Sequence, residues 1–251
     1  PSSVYYTGVD LGTACVVLAV LDEHLRPVAG TFRYADVVRD GMVVDYIGAI
    51  RIVREMKEEL EEKLGSQLIY AAAAIPPGTD ALDSGAIKNV VQGAGFEITA
   101  LPDEPTAANA VLNIRNGAVV DIGGGTTGIS VLKDGKVVYV ADEPTGGTHF
   151  SLVIAGAYKM SFADAEIYKR DKKNHKELLP VLKPVIEKVS SIISRHIEGR
   201  EVDGIYLVGG TCCLTGIEGI IEKKTGIPTY KPGNPMFVTP LGIARNCTAQ
   251  A

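Results

Sequence analysis

The sequence predicts an α/β fold in two lobes, each a copy of one βββαβα unit. Three observations predict it: a strand–Asp–Gly–Thr–strand hairpin that occurs twice, a third strand after each copy, and a helix that then returns to a strand ending in small residues. In the first copy, Val4 to Leu11 and Cys15 to Leu21 are apolar runs around Asp10-Leu11-Gly12-Thr13. In the second, Val119 to Ile122 and Ile129 to Leu132 are β-branched runs around a turn of Gly and Thr, and Asp121 stands where Asp10 stands. The third strands are Pro27 to Tyr34 and Lys136 to Ala141.

The helices follow from their periods. Ile50, Val53, Met56, Leu60 and Leu64 recur on one face of a helix from Tyr46 to Leu64, which leads into a strand at Leu68 to Ile75. Pro76-Pro77-Gly78 stops that strand. In the second half, Pro184 is expected to open a helix as a first-turn proline, with Val185, Val189, Ile192 and His196 on one stripe. The next strand, Gly204 to Val208, stops at Gly209-Gly210, and Leu214 to Lys224 reads as another helix. Pro240 to Ala244 reads as a short helix of small residues suited to close packing between lobes. The expected division is a first lobe over 1–108 and a second over 109–251, the final helix packing back toward the first. Two such lobes facing each other would bring both hairpin tips to one cleft.

At 251 residues the chain has ample material for two cores. A formal net charge of -5 argues against a nucleic acid or an anionic membrane held by bulk charge. No run approaches the length of a transmembrane helix, and the start lacks a basic region followed by an apolar signal segment. Pro1 is not an initiating methionine, which leaves room for a leader ahead of it. Cysteines 15, 212, 213 and 247 form no C-x-x-C pair, so buried, reduced thiols and a cytoplasmic setting are expected. His24, His149, His175 and His196 show no metal-ligand spacing.

The second hairpin carries the chemistry. Gly123, Gly124 and Gly125 leave its tip nearly bare of side chains, can take positive φ, and let an anion approach the backbone. Successive N–H groups then form an anion nest, to which the Thr126 and Thr127 hydroxyls add neutral donors. Asp121 would repel a bare phosphate but would hold a hydrated Mg²⁺ beside one. Three consecutive glycines weaken a strand, so a purely structural turn would rarely use so many. Two other stretches leave two readings open. Glu104, just before Pro105 and a run of small residues, is either a helix cap or a carboxylate that orients an attacking water. Gly209-Gly210-Thr211 is either a tight turn or a strand–helix junction on which a flat ligand lies.

Five motifs, in order, resemble the ATPase superfamily of actin, the seventy-kilodalton heat-shock chaperones and the sugar kinases. Asp10-Leu11-Gly12-Thr13 resembles the first phosphate motif and Asp121 to Thr127 the second; Glu104 to Ala108 resembles the first connecting helix. Val208-Gly209-Gly210-Thr211 resembles the adenosine motif and Gly242-Ile243-Ala244 the second connecting helix. Further stretches are similar to the ethanolamine utilization protein EutJ family: Ala35 to Gly41, Pro76 to Asp80, Thr145-Gly146-Gly147, Ala165 to Arg170, and Arg195 to Gly199.

The resemblance implies a ribonuclease H-like, actin-like ATPase fold that binds ATP and ADP with Mg²⁺. It implies that Asp10 and Asp121 hold the metal largely through water, and that Gly12, Thr13 and the Gly123 to Thr127 loop cradle the phosphates. Glu104 would position the attacking water, and Gly146 and Gly147 would approach the phosphates. Glu166 and Lys169 would flank the ribose and base, while Gly209, Gly210 and Thr211 would lie under the adenosine. As residues alone, Glu166 and Lys169 also read as a solvated i,i+3 pair. The implied role is that of a chaperone-like protein in ethanolamine utilization, hydrolysing ATP slowly to drive lobe closure. Its implied client is ethanolamine ammonia-lyase or a microcompartment component, with neither a nucleic acid nor a membrane as partner. The insertions above each lobe are reduced, and no position matches the chaperones' catalytic lysine. A non-catalytic, nucleotide-switched scaffold and a small-molecule kinase are the rival expectations; for the kinase no substrate pocket or base is legible.

Overall fold

The computed structural model describes residues 4–77 and 81–247. Gly78, Thr79 and Asp80, which belong to the expected strand stop and to one of the family stretches, lie outside the described residues. The chain divides into two compact units, one of Pro1–Asn113 with Phe237–Ala251, the other of Ile114–Met236.

The first unit opens with three antiparallel strands, β1 (Tyr6–Leu11), β2 (Cys15–Leu21) and β3 (Pro27–Tyr34). A two-residue hairpin, β4 (Val38–Arg39) and β5 (Met42–Val43), occupies the short link to α1 (Tyr46–Leu64). The ends of α1 are chemically marked: Asp45 Oδ1 accepts from the Gly48 N–H at 2.9 Å, and Gly65 closes the helix at φ 63. Its stripe of Ala49, Val53, Met56 and Leu60 is buried. Then come β6 (Tyr70–Ala73), α2 (Ala81–Gly93), β7 (Glu97–Ala100) and α3 (Glu104–Leu112). The sheet order is β3-β2-β1-β6-β7, with β1, β6 and β7 parallel.

The second unit repeats this plan. β8 (Gly117–Ile122), β9 (Thr127–Lys133) and β10 (Lys136–Glu143) are antiparallel neighbours. After α4 (Gly147–Tyr158), α5 (Phe162–Arg170), a 3-10 turn at Lys172–Asn174 and α6 (His175–Ile197) comes β11 (Ile205–Val208). A second 3-10 turn (Gly210–Cys213), α7 (Ile217–Thr225) and β12 (Thr229–Tyr230) complete it. The order β10-β9-β8-β11-β12 is that of the first sheet, strand for strand. The expected duplication is therefore present in the topology.

One boundary differs sharply. Pro184 does not open a helix; it lies well inside α6, as does Pro180. Both prolines are exposed, so water can serve the carbonyls their missing N–H groups leave unpaired. The opposite face buries Leu178, Leu182, Val185, Ile186, Val189, Ile192, Ile193 and Ile197, and that burial outweighs the breaks. Likewise the helix expected from Leu214 starts at Ile217, because Gly210–Cys213 winds as a 3-10 turn first.

The final helix, α8 (Val238–Asn246), returns to the first unit and packs on β1 and α3. Glycine makes both contacts: a Cβ on Gly242 would run into the Ala107 carbonyl, and one on Gly8 into the Pro240 carbonyl and the Ala244 amide. All four cysteines are free thiols, but only Cys212 and Cys247 are buried; Cys15 and Cys213 are half-buried. No described helix is long and apolar enough to cross a membrane.

Candidate functional site

In the first unit, the candidate residues gather at the carboxyl end of the parallel β1–β6 pair. Val9 pairs with Ala73, and Asp10 follows it, half-buried. The turn at Gly12 is closed by its own N–H donating to Cys15 O at 3.0 Å, and a Cβ there would come within 2.7 Å of the same oxygen. Thr13 lies in this tip, half-buried. Beyond β6, the Glu104 N–H donates to Ile75 O at 3.1 Å, which brings the start of α3 to the same end of the sheet. The cap of α3 is Asp103: its Oδ1 accepts from the Thr106 N–H at 2.9 Å and its Oδ2 from the Thr106 hydroxyl at 2.8 Å. Glu104 is thus the first helical residue and not the cap, and it is half-buried.

In the second unit, Asp121 pairs with Val208 at the carboxyl end of β8 and β11. Gly209 follows at φ 94, and a Cβ there would collide with Asp121 Oδ1 and the Ile122 carbonyl. Only glycine lets the carboxylate lie this close to the turn. Desolvation first, and the neighbouring Asp142 second, push the Asp121 carboxyl up to about 6. No cation is among the groups that shift it. A partly sheltered carboxyl whose one charged influence is another carboxylate is suited to a hydrated divalent ion, so these residues fit Mg²⁺.

The glycine tip is docked on the start of α4. Gly123 O accepts from the Gly147 N–H at 2.8 Å, Gly124 O accepts from the Thr148 N–H at 2.8 Å, and Thr211 Oγ1 donates to Gly123 O at 3.0 Å. Gly146 must be bare, because a Cβ would lie 2.8 Å from both tip carbonyls and 2.9 Å from Thr126 N. Gly123 does not use the left-handed region, so its freedom is not what shapes the tip. Gly125 and Thr126 complete the loop, both half-buried. Thr127 is fully buried, and its hydroxyl donates to Thr145 O. That donor is directed into the protein, as is the Thr211 hydroxyl.

Glu166 and Lys169 are not a solvated pair. Lys169 Nζ reaches Glu166 Oε1 at 3.1 Å, Ser151 Oγ at 2.7 Å and Gly147 O at 3.0 Å. Ser151 donates to the same Glu166 oxygen, and Arg170 holds the other at 2.8 Å. Burial lowers the Lys169 ammonium from its ordinary value against the pull of Glu166. Burial opposes, but the Ser151 hydroxyl, Lys169 and Arg170 together hold the Glu166 carboxyl below its ordinary value. Gly210 is exposed. The unit therefore joins Asp121, Gly123, Gly124, Thr126, Gly146, Gly147, Glu166, Lys169, Gly209 and Thr211 through direct or single-bridge contacts. Ser151 is the residue the sequence reading lacks, its one faint signal being a serine four residues into a glycine-initiated helix; Thr145 stands in a family-like stretch, but without the role its carbonyl takes here.

Comparison with known proteins bears on the family and the fold. Residues 99–236 match the family model described as Type IV pilus assembly protein PilM. The chain is 45% identical over 247 residues to the ethanolamine utilization protein EutJ of Salmonella typhimurium, covering 98% of this chain and 87% of that protein. The crystal structure of ethanolamine utilization protein EutJ from Carboxydothermus hydrogenoformans superposes with a TM-score of 0.92 at 52% identity, covering 96% of this chain and 89% of that one. MreB5 of Spiroplasma citri bound to ADP gives a TM-score of 0.75 at 18% identity, covering 96% and 95%.

Proposed function

The chain belongs to the ethanolamine utilization protein EutJ family and has an actin-like ATPase fold, and from that premise we propose that it binds ATP and ADP with Mg²⁺ and acts as a chaperone-like protein in ethanolamine utilization. The observation that carries the reading is the seating of the Gly123–Thr126 tip on Gly146 and Gly147 beside Asp121 and Gly209. Bare backbone, a carboxylate suited to a metal, and a glycine junction are the parts that phosphate, Mg²⁺ and adenosine require. Asp121 in the second unit, and Asp10 in the first, are each proposed as carboxylates for hydrated Mg²⁺. Glu104, released from capping by Asp103, would orient the attacking water. The metal supplies charge neutralisation on the phosphates when bound; the protein supplies the amide nest and the water's orientation. Ethanolamine ammonia-lyase or a microcompartment component is the proposed client, and capture of the lyase subunits by the immobilised, ATP-loaded chain tests it.

A second reading is favoured by one set of contacts. The Thr127 and Thr211 hydroxyls and the Gly147 and Thr148 amides all bond to protein carbonyls. A site with so many donors turned inward suits a nucleotide switch without turnover. Steady-state ATP hydrolysis with Mg²⁺ separates the two. Turnover by wild type, at least about tenfold faster than by Asp10→Ala and Glu104→Ala, supports the enzyme. Equal rates in all three, with nucleotide still bound by wild type, leave the switch.

A further inference from the structure

We propose that His175 is the positioning residue that ties the adenosine end of the site together, an inference that rests on the nucleotide reading above. His175 is the first residue of α6 and is only 4% exposed. Its Nε2 lies 2.8 Å from the Lys169 carbonyl, and its Nδ1 lies 3.1 Å from the Thr215 N–H and 3.0 Å from the Thr215 hydroxyl. A backbone N–H can only donate and a carbonyl can only accept. Nδ1 is therefore the acceptor and Nε2 carries the hydrogen, so geometry alone selects one neutral tautomer.

The two segments this ring joins are the two walls assigned to ribose and base. Lys169 and Glu166 lie on α5, and Gly209, Gly210 and Thr211 lie shortly before Thr215. Capping explains half of the arrangement: the last carbonyls of α5 lack helical partners, and Asn174 takes Tyr168 O at 3.0 Å as His175 takes Lys169 O. A cap needs one ring nitrogen. The second nitrogen, spent on a residue 40 positions away, makes the imidazole a strut of fixed length between the walls. Because Lys169 Nζ reaches Gly147 O and Ser151, a shift in the last turn of α5 moves the ammonium as well. His175 makes no hydrogen bond of its own to the Gly123–Thr126 tip and reaches it only through Lys169 and Gly147 or through the stretch that carries Thr211, so its influence falls more heavily on the adenosine than on the phosphates.

The test is calorimetric titration of the full chain with Mg-ADP, adenosine and inorganic tripolyphosphate, each well below the melting temperature of the variant used. His175→Ala loses both bonds, His175→Asn keeps an acceptor near Nδ1, and His175→Gln keeps a donor near Nε2. The expected result is affinity for ADP and adenosine about tenfold weaker in the Ala variant, as loss of one or two hydrogen bonds predicts, with Asn and Gln between it and wild type. Tripolyphosphate affinity stays within about twofold. If His175→Ala does not fold, or tripolyphosphate binds wild type too weakly to measure, the Asn and Gln variants decide: ADP affinity equal to wild type in both overturns the proposal. An equal loss on ADP and tripolyphosphate also overturns it, by showing general damage. Wild type that binds none of the three probes removes the nucleotide reading and this inference together, whereas wild type that binds ADP as well as its variants do removes only the inference.

Discussion

At Asp121 the carboxyl titrates at about 6 in the folded chain against an ordinary value of 3.8. The folded state therefore holds this proton more tightly than the unfolded state does. Between about pH 4 and pH 6 stability falls as pH rises, and above that window the whole penalty is in force. Asp121→Asn removes it. In metal-free buffer the variant should melt higher than wild type near pH 7.5, by the equivalent of about 1–3 kcal/mol, and together with wild type near pH 4. Thermal melts across that range check this, and identical melting at neutral pH would sink it. Asp121 was legible because a charged residue ends a β-branched run before glycines. His175 was not: it stands in a polar stretch, and what gives it a role is the fold's return at Thr215.

Among the elements, the hairpins were readable because β-branched runs and glycine tips leave few alternatives, and α1 was readable because Asp45 and Gly65 punctuate its apolar stripe. Helix α4 escaped notice, since a helix that begins at Gly146-Gly147 starts on residues that usually mark loops; its first amides are satisfied by the tip carbonyls instead. Helix α6 starts well before Pro184, because a proline punctuates a helix only where its missing N–H cannot be tolerated, and here it occupies the solvent face. Since Pro184 is on the solvent face, Pro184→Ala restores an N–H donor without disturbing the buried stripe. The variant should be more stable, by about 1–2 kcal/mol once the freer unfolded chain is set against the restored bond. Urea unfolding checks it, and a lower midpoint for the variant would mean that the proline shapes a bend the packing needs.

For the whole molecule, two sheets of the same order, each with its own core, make two units that are separately vulnerable. Gly242→Val would drive a side chain into the Ala107 carbonyl and part α8 from α3. Amide exchange should then quicken in β1, β2 and α3, reporting a loss of roughly 1–3 kcal/mol, while β8, β9 and β11 keep their protection. Uniform quickening in both units would show that the two unfold as one. The duplication is legible from the order of strand and turn signals, and the small residues of Pro240 to Ala244 mark a closely packed final helix; what no periodicity records is which backbone atoms Gly8 and Gly242 meet.

The place of α8 also sets an order of events during synthesis. Residues 114–236 form a contiguous unit that interrupts the other. On the ribosome the interrupting unit has all its strands before Phe237 emerges, whereas the glycine face of β1 waits for the last helix to cover it. Of the two units, the one begun first is thus the last to be finished, and a nascent chain stalled near residue 236 would carry one complete unit and one still unsealed.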